Sequence, residues 1–280
     1  MRNLRRRDGM QDFLSQFSGE LPLEDFQWFV REVNRYFGLD LSGYKPHRVK
    51  RRIEILIRKY KLNSFQEYLR FLLANEQAKE EFLDKLTINV TEFFRNPEKW
   101  WELRDRHLPG LLNASRGHFK AWSAGCASGE EPYSLAILLE ELRAPLSASI
   151  LATDLDERAL EEARSGIYEA RSMVSTPKSY LDKYFDLLDG TYKIKENAKK
   201  RVLFRKHNML QDPFPESVDL IICRNVVIYF EPEAKDKLYR NFAKSLKLGG
   251  ILFVGSTERI FNYAELNLKV ISPFFYQRVK

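Results

Sequence analysis

Only two cysteines, Cys126 and Cys223, occur in the 280 residues, and the four histidines, His47, His107, His118 and His207, are scattered. So few thiols and imidazoles give neither a disulfide framework nor the paired spacing of a structural metal site, and no metal is expected. No apolar run approaches the ~20 residues that a membrane-spanning helix requires. Arg2, Arg5, Arg6 and Arg7 resemble the charged start of a secretory signal, but polar Asp8 to Ser18 puts no apolar stretch behind them. The expectation is a cytoplasmic protein without direct membrane insertion. Internal repeats and low-complexity blocks are missing too, as is any evident Ser-His-Asp or Cys-His grouping for nucleophilic catalysis.

What is present supports folded cores. Hydrophobic residues make up 44% of the chain and aromatic ones 13%, and the length suits one ordinary domain plus a smaller one. Residues 1–20 read as a polar tail. Residues 21–90 read as an all-helical N-terminal domain, with amphipathic helices over Glu24–Phe37, Pro46–Tyr60, Ser64–Ala74 and Lys79–Leu86. Asn63 or Ser64, followed by Glu67, suits a helix cap. Residues 91–116 form a connecting segment and a helix from Pro97, a residue favoured in a first helical turn.

Residues 117–280 alternate differently. Apolar, β-branched strands are predicted at Phe119–Trp122, Ser149–Asp154, Val202–His207, Val218–Arg224 and Gly249–Ser256. Helices begin at Glu130 or Glu131, over Asp156–Ser165 and over Pro232–Leu246. That order argues an α/β fold, a doubly wound and mostly parallel sheet covered on both faces. Val270–Val279 reads as one antiparallel edge strand. The stretch 166–200 is too long for a simple helix-to-strand connection. It predicts a small inserted subdomain with a helix at Leu181–Leu188 and a strand at Thr191–Lys195.

Ligands bind such sheets at the carboxyl ends of the strands, and four strand ends carry suggestive residues. Gly125-Cys-Ala-Ser-Gly129 joins the first strand to a helix, where small residues let a ligand approach the backbone. Asp154 ends the second strand, placed either to accept from ribose hydroxyls or to form a capping box with Glu157. Asn208-Met209 follows the third strand and Asn225-Val226 the fourth. Each asparagine is readable as a ligand amide or as a turn residue.

Jointly, Thr91-Glu-Phe-Phe-Arg95, Gly125-Cys-Ala-Ser-Gly-Glu-Glu-Pro-Tyr-Ser134, Ala152-Thr-Asp154, Lys206-His-Asn208 and Cys223-Arg-Asn-Val-Val-Ile-Tyr-Phe230 resemble the chemotaxis receptor glutamate methyltransferases of the CheR type. The resemblance runs from about Phe26 to the C-terminus. It implies a class I methyltransferase-like domain, S-adenosylmethionine as cofactor with S-adenosylhomocysteine as product, and methyl esterification of receptor glutamates. It places Asn89, Thr91, Arg95, Gly125, Glu131, Asp154, Asn208, Met209, Asn225 and Val226 against the cofactor, and Arg95 and Tyr229 at the methyl acceptor. Arg95 is otherwise readable as a surface arginine, Glu131 as a first-turn acid favoured by the helix dipole, and Tyr229 as a sheet aromatic. Phe93 and Phe94 are expected to anchor their segment in the core. Some members of the family grip a receptor tail peptide with the inserted subdomain; here it is short and poor in glycine, and no tethering is expected.

The net charge of +7 is concentrated. Between Tyr44 and Lys61 eight basic residues face Glu54 alone, which accounts for the whole excess. On a helix, Val49, Ile53, Leu56, Ile57 and Tyr60 form one stripe. Arg48, Arg51, Arg52, Arg58 and Lys59 lie largely opposite, with Ile55 among them. This face is solvated, or it receives an acidic helical segment of the receptors. Nucleic acid is not the expected partner, since aromatic interleaving and a recognisable module are both lacking. A nucleic-acid methyltransferase would also carry an Asn/Asp-Pro-Pro-Tyr motif or a Pro-Cys nucleophile, where this chain has Arg224-Asn-Val-Val-Ile-Tyr229. A non-catalytic cofactor-binding scaffold is the remaining alternative; Arg95, Asn225 and Tyr229 stand against it.

Overall fold

The computed structural model describes residues 21–86 and 91–280. The chain divides into two compact units, Met1–Leu86 and Thr87–Lys280. The expected polar tail and Asn89 lie outside the described residues.

The first unit is all-helical: α1 (Leu23–Phe37), α2 (Pro46–Lys59), α3 (Phe65–Ala74) and α4 (Glu76–Leu86). Gly38 ends α1 in the left-handed conformation, its N–H bonded to the Asn34 carbonyl. Ser64 caps α3 by accepting from the Glu67 N–H at 3.1 Å, and the Glu67 carboxylate reaches back to the Asn63 N–H at 2.8 Å. Helix α4 begins three residues earlier than the apolar periodicity indicates, because the Asn75 side chain caps the Ala78 N–H at 3.0 Å. The apolar stripes meet around Phe29, whose ring centroid lies 5.5 Å from Phe65, 5.9 Å from Tyr68 and 5.9 Å from Phe82.

The second unit opens with α5 (Pro97–Glu102) and α6 (Leu108–Ala114), joined by one π-helical turn. It then alternates β1 (Lys120–Ala124), α7 (Glu130–Glu141), β2 (Ser149–Asp154) and α8 (Glu157–Ser165). Three short strands follow, β3 (Ile167–Glu169), β4 (Phe185–Leu188) and β5 (Thr191–Ile194), with α9 (Lys178–Tyr184) before β4 and α10 (Glu196–Lys199) after β5. The chain returns through β6 (Val202–Lys206), β7 (Val218–Cys223), α11 (Pro232–Ser245), β8 (Leu246–Val254), β9 (Leu268–Ser272) and β10 (Phe275–Arg278). Seven strands make one sheet in the order β6-β2-β1-β7-β8-β10-β9, parallel from β6 to β8. This is the doubly wound α/β class. Every residue of β7 is buried, as a strand covered on both faces must be.

Two local expectations are corrected. The C-terminal segment is two strands: β10 pairs antiparallel with β8, and β9 forms the edge beyond it. The stacked rings of Phe253 and Phe275, 4.3 Å apart, fix that register. The helix expected at Leu181–Leu188 ends at Tyr184, because Phe185–Leu188 pairs with β5. Asp189 and Gly190, both left-handed at φ 47° and 81°, form the two-residue turn between β4 and β5. The second sheet, β3-β5-β4, is antiparallel.

Replacing Phe29 by Ala should destabilise the helical unit by about 3–5 kcal/mol, the usual cost of removing a buried Phe. Urea unfolding followed by circular dichroism checks this; a midpoint unchanged from wild type would show that the ring is not the centre of that core.

Candidate functional site

Strand β1 stops at Ala124 and the chain turns at once. Gly125 has φ +81°, and a Cβ there would sit 2.6 Å from Cγ2 of Val226, so only glycine lets this turn approach the end of β7. The Gly125 and Cys126 N–H groups donate to the Thr153 carbonyl at 2.8 and 3.0 Å. The Ala127 N–H donates to Asp154 Oδ2 at 2.8 Å. The loop after β1 is thereby sewn to the end of β2. Gly129, at φ +94°, lets α7 start against α8, since a Cβ would lie 2.8 Å from that of Ala163.

Asp154 does not cap α8. The helix begins three residues later, and its cap is Asp156, whose carboxylate accepts from the Arg158 and Ala159 N–H groups at 3.0 and 3.4 Å. Asp154 instead accepts from Ala127 and, through Oδ1, from the Asp156 N–H at 3.0 Å. Asn208 plays its turn role: Oδ1 accepts from the Leu210 N–H at 3.0 Å, and its own N–H donates to Asp212.

Between the ends of β1 and β7 lies an open cleft. Thr91, Arg95, Gly125, Glu131, Asn225, Val226 and Tyr229 line it, together with Cys126, Trp100 and Arg224. Asp154, Asn208 and Met209 are not on its wall. Asp154 ends β2 and Asn208-Met209 follow β6, which continues the row of strand ends. Cys126 lines the cleft, while Cys223 is buried at the end of β7 and does not line it. Both cysteines are unbonded, and burial pushes each thiol well above its ordinary value. Among the described residues no group of three or more His, Cys, Asp or Glu side chains is placed to hold a metal ion.

Arg95 enters the cleft because its segment is fixed at several points. The Phe93 N–H donates to the Ser172 carbonyl and the Phe94 N–H to Ser134 Oγ, each at 2.9 Å. Both rings are fully buried, as expected. Two further residues shape the site and were not singled out in the sequence. The Glu258 carboxylate, buried, accepts from the Asn225, Val227 and Gly255 N–H groups at 2.7, 2.8 and 2.8 Å. It holds the turn that presents Asn225, itself left-handed at φ 61°. Arg224 is 7% exposed and packs its guanidinium over Phe253 and Trp100. An acid 33 residues beyond Asn225 and an arginine inside a strand-like run carry no local signal.

In the first unit, α2 displays Arg48, Arg51, Ile55, Arg58 and Lys59 at its surface, Ile55 with 51% of its area exposed. The face is narrower than expected. Arg52 is partly withdrawn, its Nη1 donating to the Leu86 carbonyl at 2.6 Å, and the Lys59 ammonium lies 2.6 Å from the Glu81 carboxylate.

The electrostatics of the cleft centre on Glu131. Burial pushes its carboxyl up to about 7, while Arg224, the Ser123 hydroxyl at 2.8 Å and Arg95 pull the other way. A half-buried acid on the cleft wall suits a cationic ligand group, and the side-chain-free Gly125 lines the same wall; these features fit S-adenosylmethionine. Because the shift is upward, Glu131 favours the folded state below its reference value of 4.5, and that contribution is lost as pH rises through about 7. Binding has the opposite sign: a cation selects the ionised form, so affinity for S-adenosylmethionine should fall as pH drops below about 7. Calorimetry between pH 5.5 and 8.5 checks this, and Glu131→Gln should flatten the profile. A pH-independent affinity in the unaltered protein would remove Glu131 from the ligand's surroundings.

Residues 89–273 match the CheR methyltransferase, SAM binding domain, and residues 24–87 the CheR methyltransferase, all-alpha domain. The chain is 42% identical over 253 residues to a chemotaxis protein methyltransferase of Listeria monocytogenes, covering 90% of this chain and 97% of that one. It is 35% identical over 268 residues to one from Borreliella burgdorferi, covering 91% and 94%. A third, from Salmonella typhimurium, is 32% identical over 269 residues, covering 91% of each. With both domain matches falling on the two units of the fold, and the glycine turn, the acid Glu131 and the two arginines lining one cleft, the chain belongs to the CheR methyltransferase family and takes S-adenosylmethionine as its cofactor.

Proposed function

We propose that this protein esterifies glutamate side chains of chemotaxis receptors with the methyl group of S-adenosylmethionine. The likeness to the Listeria chemotaxis protein methyltransferase, 42% over 97% of that chain, carries the reading. S-adenosylmethionine supplies an activated methyl: a carboxylate oxygen bonds to it, the carbon–sulfur bond breaks with its electron pair staying on sulfur, and S-adenosylhomocysteine leaves.

A glutamate with a pKa near ~4.3 is already ionised at neutral pH. The protein therefore needs no general base for it, and its work is positioning and the exclusion of water. We assign Asp154 to the ribose hydroxyls: it ends β2 in the row of strand ends, and a carboxylate has about four acceptor sites, more than the Ala127 and Asp156 N–H groups take. The oxygen of Asn208 is taken by its turn, which leaves its amide nitrogen and the Met209 backbone for the adenine edge. Thr91, Gly125, Glu131, Asn225 and Val226 surround the methionine part. Asn89 keeps its assignment from the family resemblance alone. Arg95 meets a carboxylate with its planar fork, and Tyr229 stands beside it at the acceptor.

The exposed part of α2 is assigned to receptor docking. Arg48, Arg51 and Arg58 around Ile55 complement an acidic helical segment in charge. Arg52 and Lys59 of the same face also bond to α4. Receptor-tail tethering by the β3-β5-β4 sheet is not part of this reading.

Incubation with methyl-labelled cofactor and chemoreceptor-bearing membranes should give base-labile label on receptor. Base-stable label, or label on nucleic acid in place of receptor, would overturn the reading. Reversing Arg51 and Arg58 together to Glu should raise the Michaelis constant for receptor at low salt. That effect should shrink as salt rises, since exposed charges are screened over about 8 Å at physiological ionic strength. Calorimetric affinity for the cofactor should stay unchanged. A receptor Michaelis constant equal to wild type would return the face to solvent.

A further inference from the structure

Arg95 sits between two residues in an uncommon backbone conformation. Phe94 has φ 54° and Asn96 φ 59°, neither of them glycine. Such a turn persists only where its surroundings over-determine it. Here the surroundings are two donors converging on one carbonyl. Trp100 Nε1 reaches the Arg95 oxygen at 3.1 Å and Arg224 Nη2 at 2.8 Å. The same Nη2 also reaches Asn96 Oδ1 at 2.9 Å.

Burying a guanidinium carries a desolvation penalty, and an apolar side chain could fill the space over Phe253 and Trp100 without it. What an apolar residue could not do is hold the Arg95 carbonyl and the Asn96 amide at once. Arg224 Nε is buried with no hydrogen-bond partner, so the side chain is not placed to satisfy all of its own donors. Its charge also lies close enough to Arg95 and Glu131 to be felt by both.

We infer that Arg224 is a positioning residue: it fixes the backbone of the 94–96 turn and so aims the Arg95 side chain into the cleft. This rests on the reading of Arg95 as the residue that meets a carboxylate there. Arg224→Lys keeps the charge but loses the planar fork. Misplacement by about 1 Å can lower turnover about 10²-fold, and a loss of that order is expected in folded R224K.

The test is a double-mutant cycle with Arg95→Ala, read both as turnover on receptor and as calorimetric affinity for S-adenosylhomocysteine. If Arg224 acts through Arg95, R224K should add little to the loss already present in R95A, in both measurements. Asn96→Gly tolerates the left-handed turn, removes one of the two acceptors and leaves the buried charge in place. It should give a smaller loss with the same lack of additivity, and it serves as the probe if R224K does not fold. Losses that multiply in the double variants overturn the positioning role, as does a folded R224K with wild-type turnover and affinity. An R95A protein with wild-type turnover and affinity would instead sink the role of Arg95, and the inference with it.

Discussion

Strand β1 is paired on both sides with parallel neighbours, β2 and β7, and is buried from Ala121 to Ala124. A strand enclosed in this way has no lateral face for a polar ligand, so its carboxyl end is where chemistry can be placed. The order β6-β2-β1-β7 sets four such ends in a row, and every candidate cofactor contact on a strand end lies along it. The turn at Gly125 lets the ends of β1 and β7 come together. A methyl group added at that glycine would collide with Val226 on the cleft wall.

The walls of the cleft are held by buried charge. Glu258 gathers three backbone N–H groups from two strand ends, and Arg224 gathers acceptors from the segment before α5. Buried ions contribute little net stability against their desolvation, but unlike apolar side chains they fix the direction of the groups they bind. That direction matters for a displacement reaction in which proton transfer plays no part. Glu131 stands apart from these, since its carboxyl is lifted to about 7 by burial and lies where a cation would be received.

The two units divide the work differently. The second has its polar groups turned inward onto a cleft. The first has a close-packed aromatic core around Phe29 and displays Arg48, Arg51 and Arg58 at the surface of α2. Even there the fold takes part of the charge for itself: Arg52 is bonded to the end of α4 and Lys59 to Glu81 on α4. A run of eight basic residues in sequence is therefore a smaller set of available charges in the folded unit.

Periodicity and punctuation in the sequence determined the element types, the parallel sheet, and the residues at its strand ends: Gly125, Asp154, Asn208 and Asn225. These are local properties, written within a few residues of where they act. The hairpin of β4 and β5 was also written locally, in Asp189-Gly190, but the apolar string before it reads equally well as helix, and only pairing with β5 decides between them. The split of the C-terminal segment into β9 and β10 likewise depends on which strand lies beside β8. Tertiary structure alone decided that Asp154 ties two loops and leaves the cap to Asp156, that Arg224 and Glu258 support the cleft, and that Arg52 bonds to the end of α4. Each of these follows from the direction of a side chain toward a partner far away in sequence, and no local pattern encodes that direction.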